Sequence, residues 1–256
     1  MDQNALFGRD ILTVRIHAGF NAASFLAGLM ALTDQSGGTA TLFLRRLFPT
    51  IPAEIRFEDR YVNDIAGVTA KILTQPEHPH RTPGDIAAIY AESRLSDEAR
   101  QKAAAVWKVL SEGEAGVHGM PVEHVHHFHE VGRMANVLAV GLIAEWMTTL
   151  RPARLVVSPI PLGDGAIQCA HGTIPYPAPA LFSMLDGVPV RAWAGEGEAV
   201  TPTGLAVLKG LGAEFGGWPA MTITKRATVF TDKYFENVPN GALFALGTPY
   251  RFEDVP

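Results

Sequence analysis

The sequence predicts an α/β fold: a single domain spanning residues 1–256, built as a mixed sheet with flanking helices. Three observations carry this. Strand-like and helix-like segments alternate along the chain, the order expected when helices pack on a sheet. Several helices announce their starts with a hydroxyl or amide cap, twice followed by proline. No internal repeat and no long linker divides the 256 residues, and a chain of this length buries a sizeable core.

The elements follow in order. Ile11 to Ile16 alternates as a first strand, and Ala18-Gly19 turns the chain. Asn21 caps a helix from Ala22 to Leu32, with Phe25, Leu26, Leu29 and Leu32 as its apolar stripe. A second helix is predicted from Thr39 to Phe48, stopped before Pro49. Residues 54–60 and 67–74 read as strands around a bend at Asn63-Asp64. A Pro-broken connection, residues 75–81, carries His78 and His80. Thr82-Pro83 and Ser96-Asp97-Glu98 open two helices, the second ended by Gly119. A histidine-rich strand closes at Gly132, and a buried helix runs from Met134 to Leu150. Strands are predicted at 153–160, 166–170, 188–193, 221–230 and 242–246. Helices are predicted at 180–185 and from Thr201-Pro202 to Leu211.

Composition excludes several classes of function. Hydrophobic residues make up 47% and charged residues 18%, as in a soluble globular protein. The formal charge is −5 with no basic block, so no nucleic-acid partner is expected. The one cysteine, Cys169, forms no intrachain disulfide. No apolar run reaches the ~20 residues of a membrane span. The longest candidate, Met134 to Met147, is interrupted by Asn136 and Glu145. The start has no signal pattern, so a cytoplasmic protein is the expectation, without a membrane partner.

The densest chemistry lies between Pro121 and Gly132. His124, His126, His127, His129 and Glu130 fall within seven consecutive positions. On a strand His127 and His129 share one face, roughly 6–7 Å apart at the backbone, close enough for both to lean onto one ion. Imidazoles suit zinc, nickel, copper or iron(II), so ligand type alone does not choose the metal. Each histidine alone reads equally as a surface or hydrogen-bonded core residue.

Other constellations are weaker. Cys169 and His171 pair a thiolate with an imidazole beside the Gly163-Asp164-Gly165 turn, and a small buried cysteine is the plain alternative. Thr201, Thr203 and Gly204 open a helix whose free N–H groups and hydroxyls suit a phosphate or carboxylate, or simply cap it. Glu198 and Glu130 are candidate catalytic bases or ligands. Pro175, Pro177 and Pro179 stiffen an extended segment. There is no P-loop, nucleophile elbow or dinucleotide fingerprint.

Four segments together carry a resemblance: Val117–Gly132, Ser158–Ala180, Gly197–Gly204 and Pro219–Lys225. In order and spacing they resemble LarC, the family of nickel insertion proteins for the nickel-pincer cofactor of lactate racemase. The likeness runs from about residue 74 to 226 and weakly from residue 14. It implies a metallochelatase, a lyase-type enzyme, that places nickel in a pyridinium-3,5-bisthiocarboxylic acid mononucleotide. His127, His129 and His171 would then hold the metal, and Thr201, Thr203 and Gly204 the mononucleotide precursor. In that family the reaction consumes CTP and uses manganese, with the nucleotide associated with a separate C-terminal region. This chain stops at Pro256, so manganese and CTP are not expectations for it alone. A partner chain supplying that region and a homo-oligomer are both compatible.

The sequence also departs from the family pattern. Two aspartates of the family's first strand and turn correspond to Arg15 and Ala23, and two after the histidine motif to Ala135 and Ala139. A glycine-rich segment is replaced around Arg226 to Phe230. Replacing a carboxylate by alanine removes a charge and an oxygen ligand. A non-catalytic scaffold that carries metal or cofactor is therefore the alternative reading, and a metal-dependent enzyme of other chemistry a third.

Overall fold

The structure, a computed structural model, describes residues 10–77, 81–122, 128, 130–169 and 172–250. For Glu130, Gln168 and Cys169 it describes the backbone alone. The histidine predictions at His78, His80, His124, His126, His127, His129 and His171 lie outside the described residues.

The first strand, β1 (Ile11–Ala18), is an interior strand of a seven-stranded mixed sheet. It pairs antiparallel with β11 (Gly241–Pro249) on one side and parallel with β4 (Arg154–Val157) on the other. Beyond β11 lie β10 (Met221–Val229), β3 (Ile65–Thr74) and β2 (Ala53–Val62); beyond β4 lies the short β9 (Glu214–Phe215). The β2–β3 hairpin turns at Asn63-Asp64, both with positive φ, which Asn and Asp tolerate better than other side chains. Two two-stranded sheets complete the set. One pairs β5 (Ile160–Leu162) with β8 (Val190–Ala192), the other β6 (Gly165–Cys169) with β7 (Gly172–Tyr176).

The helices gather on one side of the sheet. Leu12, Val14 and Ile16 of β1 join the main apolar cluster, to which every described α-helix contributes. α1 (Ala22–Leu32) is apolar almost all round and is buried between the sheet and α5 (Met134–Leu150). Gly28 lets the Phe244 ring lie directly against its backbone; a Cβ there would sit 2.4 Å from two of the ring's carbons. α2 (Gly37–Leu47) covers β2, while α3 (Pro83–Glu92) and α7 (Pro202–Gly210) pack on α4 (Asp97–His118). The short α6 (Pro179–Ser183) also rests on α4. On the opposite sheet face Ile11, Val156, Met221 and Ala245 form a small separate cluster. No helix among the described residues is long and apolar enough to cross a membrane.

Two local expectations are corrected. The predicted strand at residues 153–160 is two strands in different sheets. Pro159 lacks the N–H needed to continue a ladder, and the chain leaves the main sheet after Val157. The histidine-rich strand does not run to Gly132. Phe128 makes a single antiparallel bridge with Arg81, and Glu130–Gly132 is a 3-10 turn. Smaller differences sit at element ends. Ser36 caps α2, so it starts at Gly37, its Oγ accepting the Thr39 N–H.

Candidate functional site

The site is organised where β1 hands the chain to α1. The Phe20 N–H donates to the Ala199 carbonyl at 2.8 Å, and the Thr201 N–H donates to the Phe20 carbonyl at 2.9 Å. This two-bond clasp sets the N-termini of α1 and α7 side by side. Asn21 and Ser24 close a capping box on α1, each side chain accepting the other's backbone N–H at 2.8 Å. On α7 the Thr201 hydroxyl accepts the Gly204 N–H at 3.1 Å and lies 3.0 Å from the Thr203 hydroxyl. Gly204 is where the helices touch: a Cβ there would sit 2.8 Å from the Phe20 carbonyl oxygen. Its N–H is thus taken by the cap, and its missing side chain serves close packing.

A cleft of about 420 Å³ opens beside this clasp. Thr201, Thr203 and Glu198 line one side, and Ile167 and Ile174, paired across the β6–β7 hairpin, line another. Glu114 and His118 enter from the last turns of α4, His118 Nε2 standing 3.8 Å from Glu114 Oε2. Val131 and Asn136 complete the far wall, the Asn136 Nδ2 donating to the Val131 carbonyl at 3.0 Å. Val131 follows His127 by four positions and His129 by two. The cleft's described lining holds two carboxylates and an imidazole and no lysine or arginine. Such a lining favours a cation. Among the described residues no three His, Cys, Asp or Glu side chains converge as a metal site.

Glu198 is the hinge between this cleft and a neighbouring cavity of about 250 Å³; Asn21, Ala23 and Thr201 are shared with it. The Glu198 side chain is 13% exposed and faces Lys233 at 3.6 Å. Behind it the Tyr176 hydroxyl accepts the Val200 N–H at 3.4 Å. Burial pushes this phenol up to about 12, and the Glu198 charge pushes in the same direction against backbone hydrogen bonds from Val200 and Ala199.

The chain entering the far wall is held at Phe128 and at Gly132. The Phe128 N–H donates to the Arg81 carbonyl at 2.8 Å, and Arg81 donates to the Gly132 carbonyl at 2.7 Å. Phe128 is fully buried, its ring 5.3 Å from that of Trp107.

The structure therefore brings Glu198, Thr201 and Thr203 to one cleft, with Gly204 packed beneath them. Glu130 follows the described backbone into the 3-10 turn next to Val131. The pair Glu114 and His118 went unread in the sequence. Its signal was an i, i+4 spacing on one helix face, just before the Gly119 stop.

Comparison with known proteins bears on this arrangement. The family model for "Nickel insertion protein" matches residues 12–251. The chain belongs to the nickel insertion protein family. A relative from Geotalea uraniireducens (strain Rf4), named "Putative nickel insertion protein", is 39% identical over 183 residues, covering 72% of this chain and 47% of its own length. A second of that name, from Geotalea daltonii, is 37% identical over 199 residues, covering 78% of this chain and 51% of its own. A Geobacillus kaustophilus relative is named "Pyridinium-3,5-bisthiocarboxylic acid mononucleotide nickel insertion protein". It is 40% identical over 150 residues, 59% of this chain and 36% of its own length. The chain spans about half the length of the first two relatives. No solved structure matches the chain. Within the family frame, Ala23 lies in the shared wall of both cavities, whereas Arg15 points to the opposite sheet face.

Proposed function

We propose that this chain handles nickel as a substrate and contributes to its insertion into a pyridinium-bisthiocarboxylic acid mononucleotide-type precursor. The observation that supports this best is the cleft beside the Phe20–Thr201 clasp. It carries Glu198, Glu114 and His118 without a lysine or arginine, and its wall includes Val131, two residues after His129 in the sequence. Neutral imidazoles of His127 and His129, with that of His171, which falls between β6 and β7 in the sequence, would bind Ni(II), a borderline ion that nitrogen ligands suit. Glu130 and Glu198 would take protons released as the precursor exchanges them for metal. Thr201 and Thr203 would hold the precursor's polar end through hydroxyls and the positive end of α7. Gly204 would serve by letting that helix end approach Phe20.

Ligation requires deprotonated imidazole, so nickel affinity is expected to fall as pH drops below ~6.5. Calorimetric titration with Ni(II) at two pH values tests this. Undiminished binding by the His127→Ala/His129→Ala double variant would reject the site.

Ala23 favours a second reading, a metal-carrying scaffold without turnover. It offers the cleft a methyl group where the family resemblance carries a carboxylate. A partner chain would then supply the manganese- and CTP-dependent region. Precursor turnover by this chain alone, assayed with and without CTP, excludes the scaffold.

A further inference from the structure

The opposite face of the sheet carries a concavity of about 410 Å³ that shares no lining residue with the nickel-side cleft. We propose that it binds a phosphate-type oxyanion carried on a small molecule, gripped by Arg15 and Arg191 and flanked by His17 and Trp218.

The concavity lies at the carboxyl ends of β1 and β4, two adjacent parallel strands. Ligands of α/β sheets are commonly taken outside such ends. Arg15 and His17 stand two apart on β1 and project to the same face. Arg191 reaches in from β8 and donates to the Ile16 carbonyl, between those two residues, at 2.9 Å. Three basic side chains thus meet on three successive residues of one strand.

No acidic side chain lines the concavity, and neither guanidinium pairs with a carboxylate among the described residues. Half-buried cations without a counter-charge cost free energy, and a concave low-dielectric wall concentrates their field. Burial, and after it the charges of Arg191 and Arg15, lower the His17 pKa, as expected of an imidazole set between two guanidiniums. The guanidiniums are fixed rather than loose. Arg15 donates to the Gly217 and Gly216 carbonyls at 3.0 and 2.9 Å, and its carbon lies 5.4 Å from the Trp218 ring centroid. Those two bonds leave other donors of its five-donor fork for a ligand. A planar fork held in place is the geometry that matches phosphate oxygens. Trp218 is 54% exposed and offers the rest of its indole to whatever the phosphate carries.

The test titrates inorganic pyrophosphate into the full chain at low ionic strength, read by calorimetry and tryptophan fluorescence. Saturable binding is expected, weakened about tenfold or more by Arg15→Gln or by Arg191→Gln. Arg15→Lys keeps the charge but loses the fork, and should fall between. Trp218→Phe should remove the fluorescence change while binding persists by calorimetry. A nucleoside diphosphate run in parallel separates the sources: tighter binding than pyrophosphate assigns the site to nucleotides, equal binding to the phosphate itself. No saturable binding of either probe overturns the proposal. So does equal binding by wild type and Arg191→Gln, a variant whose folding is checked by circular dichroism. Nickel appears in none of these arms, so the result is independent of the cleft.

Discussion

The Glu77 carboxylate accepts the Met134 N–H at 2.5 Å, across the start of α5. Its other oxygen takes an Arg81 hydrogen bond at 2.5 Å, and Arg81 also holds the Gly132 carbonyl. One acidic residue, more than fifty positions upstream, thereby closes the turn that follows the histidine segment and caps the helix behind it. Arg133, the N-cap position itself, makes no side-chain cap bond.

This relationship predicts a stability change. Glu77→Ala removes the cap of α5 and leaves Arg81 half-buried without its partner. A loss of about 1–2 kcal/mol is expected by denaturant unfolding. Burial works to raise the Glu77 pKa, but hydrogen bonds from Arg81 and Met134, with the charges of Arg81 and Arg133, outweigh it and hold it low. A carboxyl depressed on folding stabilises above its unfolded value and loses that contribution as pH falls through the folded value. The wild-type advantage over Glu77→Ala should therefore be full at neutral pH and shrink in acid below the ordinary value of 4.5. A constant difference between pH 7 and strongly acid conditions would contradict the assignment.

A second expectation concerns packing at α1. In Gly28→Ala the new methyl group must displace the Phe244 ring, which also packs edge-on against Phe25 at 5.7 Å. Overpacking of this kind costs typically about 1–3 kcal/mol. Gly204→Ala meets backbone instead, at 2.8 Å from the Phe20 oxygen, so no rotamer change relieves it. It should both destabilise and part the Phe20–Thr201 clasp. Hydrogen exchange at the Thr201 amide, faster in Gly204→Ala than in Gly28→Ala, reads the difference.

Tyrosine titration offers a third check. Tyr90 is buried, accepts the Trp107 Nε1–H at 2.7 Å and donates to the Val137 carbonyl at 2.8 Å. Burial raises its pKa well beyond the ordinary phenol range, and Tyr176 is raised to about 12. Ultraviolet absorbance at about pH 11 should leave two of the five tyrosines largely un-ionised until the protein unfolds. Because the unfolded phenols ionise first, stability should fall as pH rises above about 10. Full ionisation without unfolding would deny their burial.

Much of this architecture was legible from local chemistry. Asn21, Thr82, Ser96 and Thr201 each cap the helix they were expected to cap, because a short polar side chain satisfies an early N–H without tertiary help. Asn63-Asp64 turns the hairpin for an equally local reason. What local pattern could not reveal is pairing. Nothing in the sequence says that β1 lies between β11 and β4, or that Ala199–Thr201 clasps Phe20. The β4/β5 break also depends on tertiary context, since the residues from 153 to 160 keep an apolar pattern while the chain changes sheets. Of the site, Glu198, Thr201 and Thr203 were found through their segments. Glu114 and His118 were not, because their cleft exists only once tertiary folding sets the end of α4, the start of α7 and the β6–β7 hairpin around one space. Asp or Glu spaced four from a histidine is otherwise an ordinary surface pair.

Ala23 supports a final prediction. It sits in the first turn of α1, in the wall common to both cavities, and shares that wall with Glu198. The family resemblance carries an aspartate there. Ala23→Asp would place a carboxylate near the positive end of α1, which is favourable by about 0.3–1 kcal/mol, so the fold should hold. It would also add an oxygen ligand beside Glu198 in a cleft already lined by Glu114. Affinity for Mn(II), a hard ion that oxygen ligands suit, should rise measurably by calorimetry, while the same change at Ala139, buried within α5, should destabilise the protein. Unchanged Mn(II) binding in a folded Ala23→Asp variant would mean that the wall shared with Glu198 is not a place where this chain meets a divalent ion.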